Sequence, residues 1–203
     1  LLIYIDTFMI GLLIATPESI ALYKVASTIP AALAFLPNCV MIYVIPYFVL
    51  HNKDPKWLKD KYSKLIKYGI LGYGLFSLAL ILGSKFIINT LYTPEYAEAI
   101  LPFIILMIGF FFSATFKIPT NNILFAMRKM RFKLIITISS GILNIILNVS
   151  FINYLGITGA AITTTLINIF SSILGVWYTN KVLKKIKIQE KEIVSDDKNE
   201  ERI

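Results

Sequence analysis

Charge is scarce in this sequence, and so are the side chains that usually build metal and disulfide sites. The 203 residues include one cysteine, Cys39, and one histidine, His51. A single cysteine excludes an internal disulfide framework. A single histidine leaves zinc sites and Ser-His-Asp arrangements without their parts. The glycines Gly69, Gly72, Gly74 and Gly83 are followed by no Gly-Lys-Ser/Thr, so they form no phosphate loop. With no catalytic constellation and no cofactor motif, the chain reads as a non-enzyme.

Charged residues make up 16% of the chain and hydrophobic ones 57%, against about 25% and about 45–50% in an ordinary soluble domain. The mean hydropathy is +0.72. One soluble core cannot absorb that much apolar surface in a chain of this size, so the expected solvent is lipid. The net charge of +8 would suit nucleic acid only if the cations shared a soluble face. They lie between apolar runs instead, which excludes nucleic acid as a partner and points to membrane topology. The chain opens on Leu1-Leu2-Ile3 inside an apolar segment, with no basic n-region or cleavage site. No signal peptide is expected, and an upstream part is expected to precede this segment.

Crossing the hydrocarbon core takes about 20 residues of helix. The apolar runs predict six spans, at about 1–15, 21–50, 66–92, 97–127, 134–154 and 159–181. Pro30, Pro37 and Pro46 interrupt the second, which predicts a kinked helix. No charge occurs from Leu134 to Asn180, a stretch too long for one helix, and Gly156-Ile157-Thr158-Gly159 is the expected turn within it. The three regions 51–67, 127–133 and 181–202 hold 17 of the 20 basic residues, while the connections 16–20, 93–96 and 154–158 hold none. Lysine and arginine collect in cytoplasmic loops, so every second loop, and both ends, are expected at the cytoplasm. The expected organisation is all-α: a six-helix transmembrane lobe over 1–187 and a charged, disordered cytoplasmic tail over 188–203. The basic stretch Lys181–Lys187 reads as positive-inside anchoring or as contact with anionic lipid.

An ionisable residue within a span is a functional candidate. Lys24 and Lys85 lie near the non-basic ends of their spans and can bury their stems while the ammonium reaches the interface. Lys117 sits roughly 16 Å above Arg128 at 1.5 Å per residue. Pro119, Asn121 and Asn122 follow it, as in a kinked helix lining a wet cavity. It reads either as contact for an anionic substrate or as half of a structural ion pair. Asp6 lies about 15 Å before Thr16, near mid-membrane. It reads as a carboxyl that exchanges a proton during transport, or as one neutralised by a partner such as Lys117. Thr137, Gly141, Asn144 and Asn148 form one stripe on the fifth span, and Thr164, Asn168, Ser171 and Gly175 one on the sixth. Such spacing suits close helix approach and hydrogen bonds across the seam; a substrate-facing role for the asparagines is the alternative.

The chain resembles the C-terminal half of polysaccharide biosynthesis proteins, the oligosaccharide flippases of the multidrug/oligosaccharidyl-lipid/polysaccharide exporter superfamily. The resemblance covers about residues 3–185 and rests on stretches in order. Tyr4-Ile5-Asp6-Thr7-Phe8-Met9-Ile10-Gly11 looks like the first helix of the second lobe. Ala21-Leu22-Tyr23-Lys24-Val25-Ala26 looks like the opening of the next, which ends near Pro46. Leu91-Tyr92-Thr93-Pro94-Glu95-Tyr96 resembles the outer loop before the tenth helix. The fourth is Asn144 to Ala161, with its asparagine pair and Gly156-Ile157-Thr158-Gly159-Ala160-Ala161. The resemblance implies one lobe of a two-lobed transporter that works by alternating access, its other lobe lying upstream. It also implies a polyprenyl-diphosphate-linked oligosaccharide as cargo, carried across the cytoplasmic membrane for surface polysaccharide. The candidate substrate-binding residues are then Lys117, Asn121, Asn122, Asn144 and Asn148, with Asp6 for ion coupling and no metal or other cofactor. A cation-coupled drug exporter of the same superfamily and a non-transporting scaffold subunit are the competing readings.

Overall fold

A computed structural model describes residues 2–52 and 54–200, with side chains described over 4–52 and 54–184. Every regular element is helical: α1 (Leu2–Leu13), α2 (Pro17–Leu33), α3 (Phe35–Leu50), α4 (Pro55–Leu82), α5 (Ser84–Leu91), α6 (Ile100–Phe112), α7 (Ile118–Ala126) and α8 (Met130–Glu200). A 3-10 turn, Pro94–Ala99, leads into α6, and a π-helical segment, Ser113–Lys117, joins α6 to α7. Four runs are long and apolar enough to cross a membrane, at Pro17–Leu50, Pro55–Leu82, Pro94–Ala126 and Met130–Lys184, with a shorter apolar helix at Tyr4–Leu13.

The last run is two helices. Gly156 has φ 59° and ψ −138°, a combination open to glycine alone, and the chain reverses there. Ser140 bonds Ser171 across the reversal, and Asn148 and Thr164 meet at a common partner; both pairs straddle Gly156 almost symmetrically. A Cβ on Gly159 would lie 2.1 Å from the Phe151 carbonyl oxygen, so the turn needs its second glycine to let the two arms touch. Taking α2–α3, α4–α5 and α6–α7 each as one broken helix, the described residues form the expected all-α bundle of six helices.

The interruptions have local causes. Pro37 has no N–H to offer Leu33; the helix breaks at Ala34, and the Asn38 side chain reaches back to the Ala34 carbonyl at 2.6 Å. The break falls between two of the three prolines, while Pro30 and Pro46 are absorbed inside α2 and α3. Likewise Pro119 offers no N–H to Thr115, four residues earlier, and the π-helical segment covers Thr115. Such bulges are a recognised answer to a lost i→i−4 bond.

Two boundaries differ from the sequence expectation. Helix α4 begins at Pro55, well before residue 66, because Asp54 caps it, accepting from the N–H groups of Lys56 and Trp57 at 3.0 and 2.9 Å, with Pro55 at the first helical position. Lys56, Lys59, Lys61, Lys64 and Lys67, read as loop residues, are thus exposed on a helix. Helix α8 carries its backbone to Glu200; the side chains of the 188–203 tail, and residues 201–203 entirely, lie outside the described residues.

Packing gathers into two apolar clusters. One joins Ile10, Tyr23, Ile88, Phe103, Met107 and Ile152 near the non-basic end. The other joins Met41, Phe48, Leu58, Tyr62, Ile123 and Leu183 near the lysine-rich end. Large apolar side chains such as Ile42, Leu71, Leu75, Ile138 and Ile142 point outward, as they should where the surroundings are lipid. The run from α6 to α7 and the second arm of α8 pass through both clusters. Past the first cluster, which takes in Ala114 of the π-helical segment, come Lys117 on one run and Thr164, Asn168 and Ser171 on the other.

The turn gives a direct test. Gly156→Ala and Gly159→Ala should each lower stability by about 1–3 kcal/mol, read as thermal unfolding in detergent. Gly141, whose Cβ would meet nothing within 4 Å, should tolerate alanine with no loss.

Candidate functional site

The four helices that meet around Asp6 reach it at matching depth. Asp6 precedes the α1–α2 turn by eight residues, Asn148 precedes Gly156 by eight, and Thr164 follows it by eight, each roughly 12 Å of helix. Tyr23 lies six residues into α2. Short turns at the non-basic end therefore bring these side chains to one level.

Asp6 is fully buried. Its Oδ2 accepts from the Tyr23 hydroxyl at 2.7 Å and from the Thr164 hydroxyl. Its Oδ1 accepts from the Asn148 amide at 2.7 Å and from the Asn144 amide at 3.1 Å. A carboxylate has about four lone-pair sites, and all four are met by neutral donors. Among the described residues the one ion pair is Lys64–Asp60, at 2.8 Å on the surface of α4. The Asp6–Lys117 pair, one of the alternatives for both residues, is not formed: the Lys117 ammonium donates to Asn168 Oδ1 at 2.8 Å. Asn148 Oδ1, buried beside the carboxylate, accepts from no protein group.

On the lysine-rich side of this cluster lies an open cleft of about 960 Å³. Its walls come from α1, α2, α6, the π-helical segment, α7 and both arms of α8. Lys24, Lys117, Asn121, Thr137, Asn168 and Ser171 are among its polar lining residues. The π-helical segment sets the local helix register, and Lys117 at its end faces this space. Thr164 belongs to both places, lining the cleft while its hydroxyl bonds Asp6.

The candidate residues thus separate. Lys117 and Asn121 line the cleft. Asn122 donates back to the Ile118 carbonyl at 2.9 Å and is not among the lining residues. Asn144 and Asn148 are fully buried and hold Asp6. The two polar stripes of α8 therefore do two jobs: near the non-basic end they solvate a carboxylate, and nearer the middle they wet a cleft. Lys24, read from sequence as an interfacial lysine, belongs to the cleft with Ser27 and Thr28. Their i, i+3, i+4 spacing carried that signal. Tyr23 was missed because a tyrosine on an apolar helix gives no sign of which carboxylate its hydroxyl will meet.

Among known proteins the chain is similar to one described as an uncharacterized membrane protein of Methanocaldococcus jannaschii. It is 33% identical over 157 residues, which cover 70% of this chain and 31% of that protein. The chain spans about a third of the length of this relative. No protein-family description matches the chain, and no solved structure matches it. The chain is a multi-pass helical membrane protein with a distant archaeal homologue.

The Asp6 network predicts a graded response. Tyr23→Phe should cost about 1–2 kcal/mol. Asp6→Ala should cost about 3 kcal/mol or more, since it orphans four buried donors together. Thermal unfolding of the purified variants measures both.

Proposed function

We propose that this chain is one lobe of a two-lobed transporter that moves an anionic lipid-linked oligosaccharide across the cytoplasmic membrane by alternating access. The observation that carries the reading is the cleft: within a bundle whose outer surface is apolar, two amines, Lys24 and Lys117, stand among hydroxyls and amides in an open space of about 960 Å³. Ammonium groups in a partly desolvated site suit a diphosphate, with which they form charge-assisted hydrogen bonds. A cleft open on one side suits a bulky glycan, and leaves room for an opposing lobe. The resemblance of the sequence to oligosaccharide flippases supports the same cargo. The lysine-rich end is assigned to the cytoplasm by the positive-inside bias. The partners of the proposal are the bilayer, the lipid-linked glycan and the other lobe, with no nucleic acid, no cofactor and no enzymatic step.

Within this reading Asp6 is the coupling group. Its four donors satisfy a carboxylate, and Asn148 Oδ1, buried without a donor, is one further oxygen able to accept a hydrogen bond or ligate a small cation. Thr164 bonds Asp6 and lines the cleft, so a change of state at Asp6 is felt at the cargo site through one hydroxyl. A cation-coupled drug exporter would use the same carboxyl, and the Asp6 network alone favours it equally. The paired lysines favour an anionic cargo over the cationic drugs such exporters commonly carry. A non-transporting scaffold would have no use for either site.

In a strain lacking the protein, the full-length gene should restore glycan at the cell surface. Lys117→Ala should cut that export roughly ten- to a hundredfold, the worth of one charged hydrogen bond, while the variant still reaches the membrane. Unchanged export would remove Lys117 from the cargo path, and glycan export without the protein would end the flippase reading. Topology is tested after replacing the exposed Cys39 by serine: from outside the cell, Pro94→Cys should label and Asp60→Cys should not.

A further inference from the structure

A second concavity lies on the outer surface of the bundle, on the other side of α7 from the cleft. It is a groove of about 180 Å³ between α3, α4 and α7. Pro37 and Val40 form one wall, Leu65, Gly69 and Gly72 the other, and Pro119 the floor. Its lining is mostly apolar, with Tyr68 and Tyr73 the residues that carry hydroxyls, so it suits a hydrocarbon chain better than water.

The two glycines of the wall differ in what they serve. A Cβ on Gly69 would press on Thr115 at 3.4 Å, an ordinary packing contact with the π-helical segment. A Cβ on Gly72 would meet nothing within 4 Å. Glycine inside a helix costs stability relative to alanine, and at Gly72 no contact within the chain repays that cost. The open room beside it faces out of the bundle.

Just below the groove the surface becomes strongly basic. Lys61 and Lys64 lie one helical turn before Leu65 and Tyr68 on the groove side of α4, and Lys56, Lys59 and Lys67 are also exposed on the same helix. Asp60, the sole acid of that stretch, pairs with Lys64 at 2.8 Å, an exposed pair worth little in water that a phosphate would share. The axial distance from Lys64 to Gly72 is about 12 Å, a span that joins a headgroup to the upper part of an acyl chain. Trp57 stacks on His51 at 4.2 Å beside these lysines, an aromatic pair at the level where a membrane interface places them.

We propose that this groove is a specific binding site for an anionic phospholipid, with one acyl chain lying along Gly72 and the phosphate held by Lys61 and Lys64. Charge selects the occupant. A second copy of this chain would bring the same lysines and repel, whereas an anionic headgroup is attracted to a basic cluster directly next to a membrane helix. The site stands apart from the cargo cleft, since Pro119 floors the groove while Lys117 and Asn121 line the cleft on another face of the same helix.

The test is native mass spectrometry of the purified full-length protein, stripped of lipid and then offered phosphatidylglycerol or phosphatidylcholine of identical chains. The protein should retain phosphatidylglycerol in preference to phosphatidylcholine. Gly72→Leu, whose Cβ meets nothing within 4 Å and whose isobutyl group would occupy the groove, should lose the retained lipid while keeping its helical circular dichroism; Gly72→Ala should bind as the original does. Lys61→Gln with Lys64→Gln should lower the preference for the anionic lipid, roughly fivefold for each lysine. Equal retention of both lipids by the unaltered protein would overturn the proposal. So would undiminished binding by Gly72→Leu, or loss of binding already in Gly72→Ala. None of these readings depends on transport, so this site and the cargo reading fail or stand separately.

Discussion

A buried carboxyl with four donors is the constraint on which the rest of this bundle depends. Placing Asp6 in an apolar interior is costly unless every lone pair is met. The donors come from α2 and from both arms of α8, up to 158 residues along the chain. Each must arrive at one depth. That requirement fixes the register of three helical connections at once: the α1–α2 turn, the reversal at Gly156, and the contact of α1 with α8. Apolar packing alone would tolerate a helix sliding by part of a turn. Four hydrogen bonds on one small group do not.

The architecture was legible in the sequence because partition into lipid is a property of composition. Runs free of charge marked the spans, and alternation of lysine-rich and lysine-free connections marked their parity. The two glycines at 156 and 159 were legible as a turn because few other features could divide an uncharged stretch of that length. The start of α4 was not, since exposed lysines look alike on a loop and on the outer face of a helix; Asp54-Pro55 carried the signal, as a cap followed by a proline. The site was half legible. Charge within an apolar span named Asp6 and Lys117, and periodicity told which face of the fifth span was polar and so named Asn144 and Asn148. It could not tell which polar faces would meet, because that depends on how neighbouring helices are rotated. Asp6 found amides and hydroxyls, and Lys117 found Asn168.

Prolines shape the middle of the molecule more than its ends. Pro37 lies just past the break between α2 and α3, and Pro119 follows the π-helical segment closely. Both stand where the chain leaves regular helix, and both line the outer groove as well. The π-helical segment is the more consequential, since its Ala114 is packed in one apolar cluster and the segment ends at Lys117. A regular helix through this stretch would turn the ammonium to a different bearing. The irregular backbone here is shielded by neighbouring helices, the setting in which membrane proteins accept it.

The connections at the non-basic end are brief: three residues between α1 and α2, a short link from α5 into the 3-10 turn, and little more than Gly156 between the arms of α8. On that side of the membrane this chain offers almost no protruding surface. A protease or an antibody would find few extended segments to grip there, and an inserted epitope tag would break a turn whose geometry only glycine allows. The opposite end, with its long lysine-bearing helix start and its extended last helix, is where this chain has room to be cut, tagged or bound.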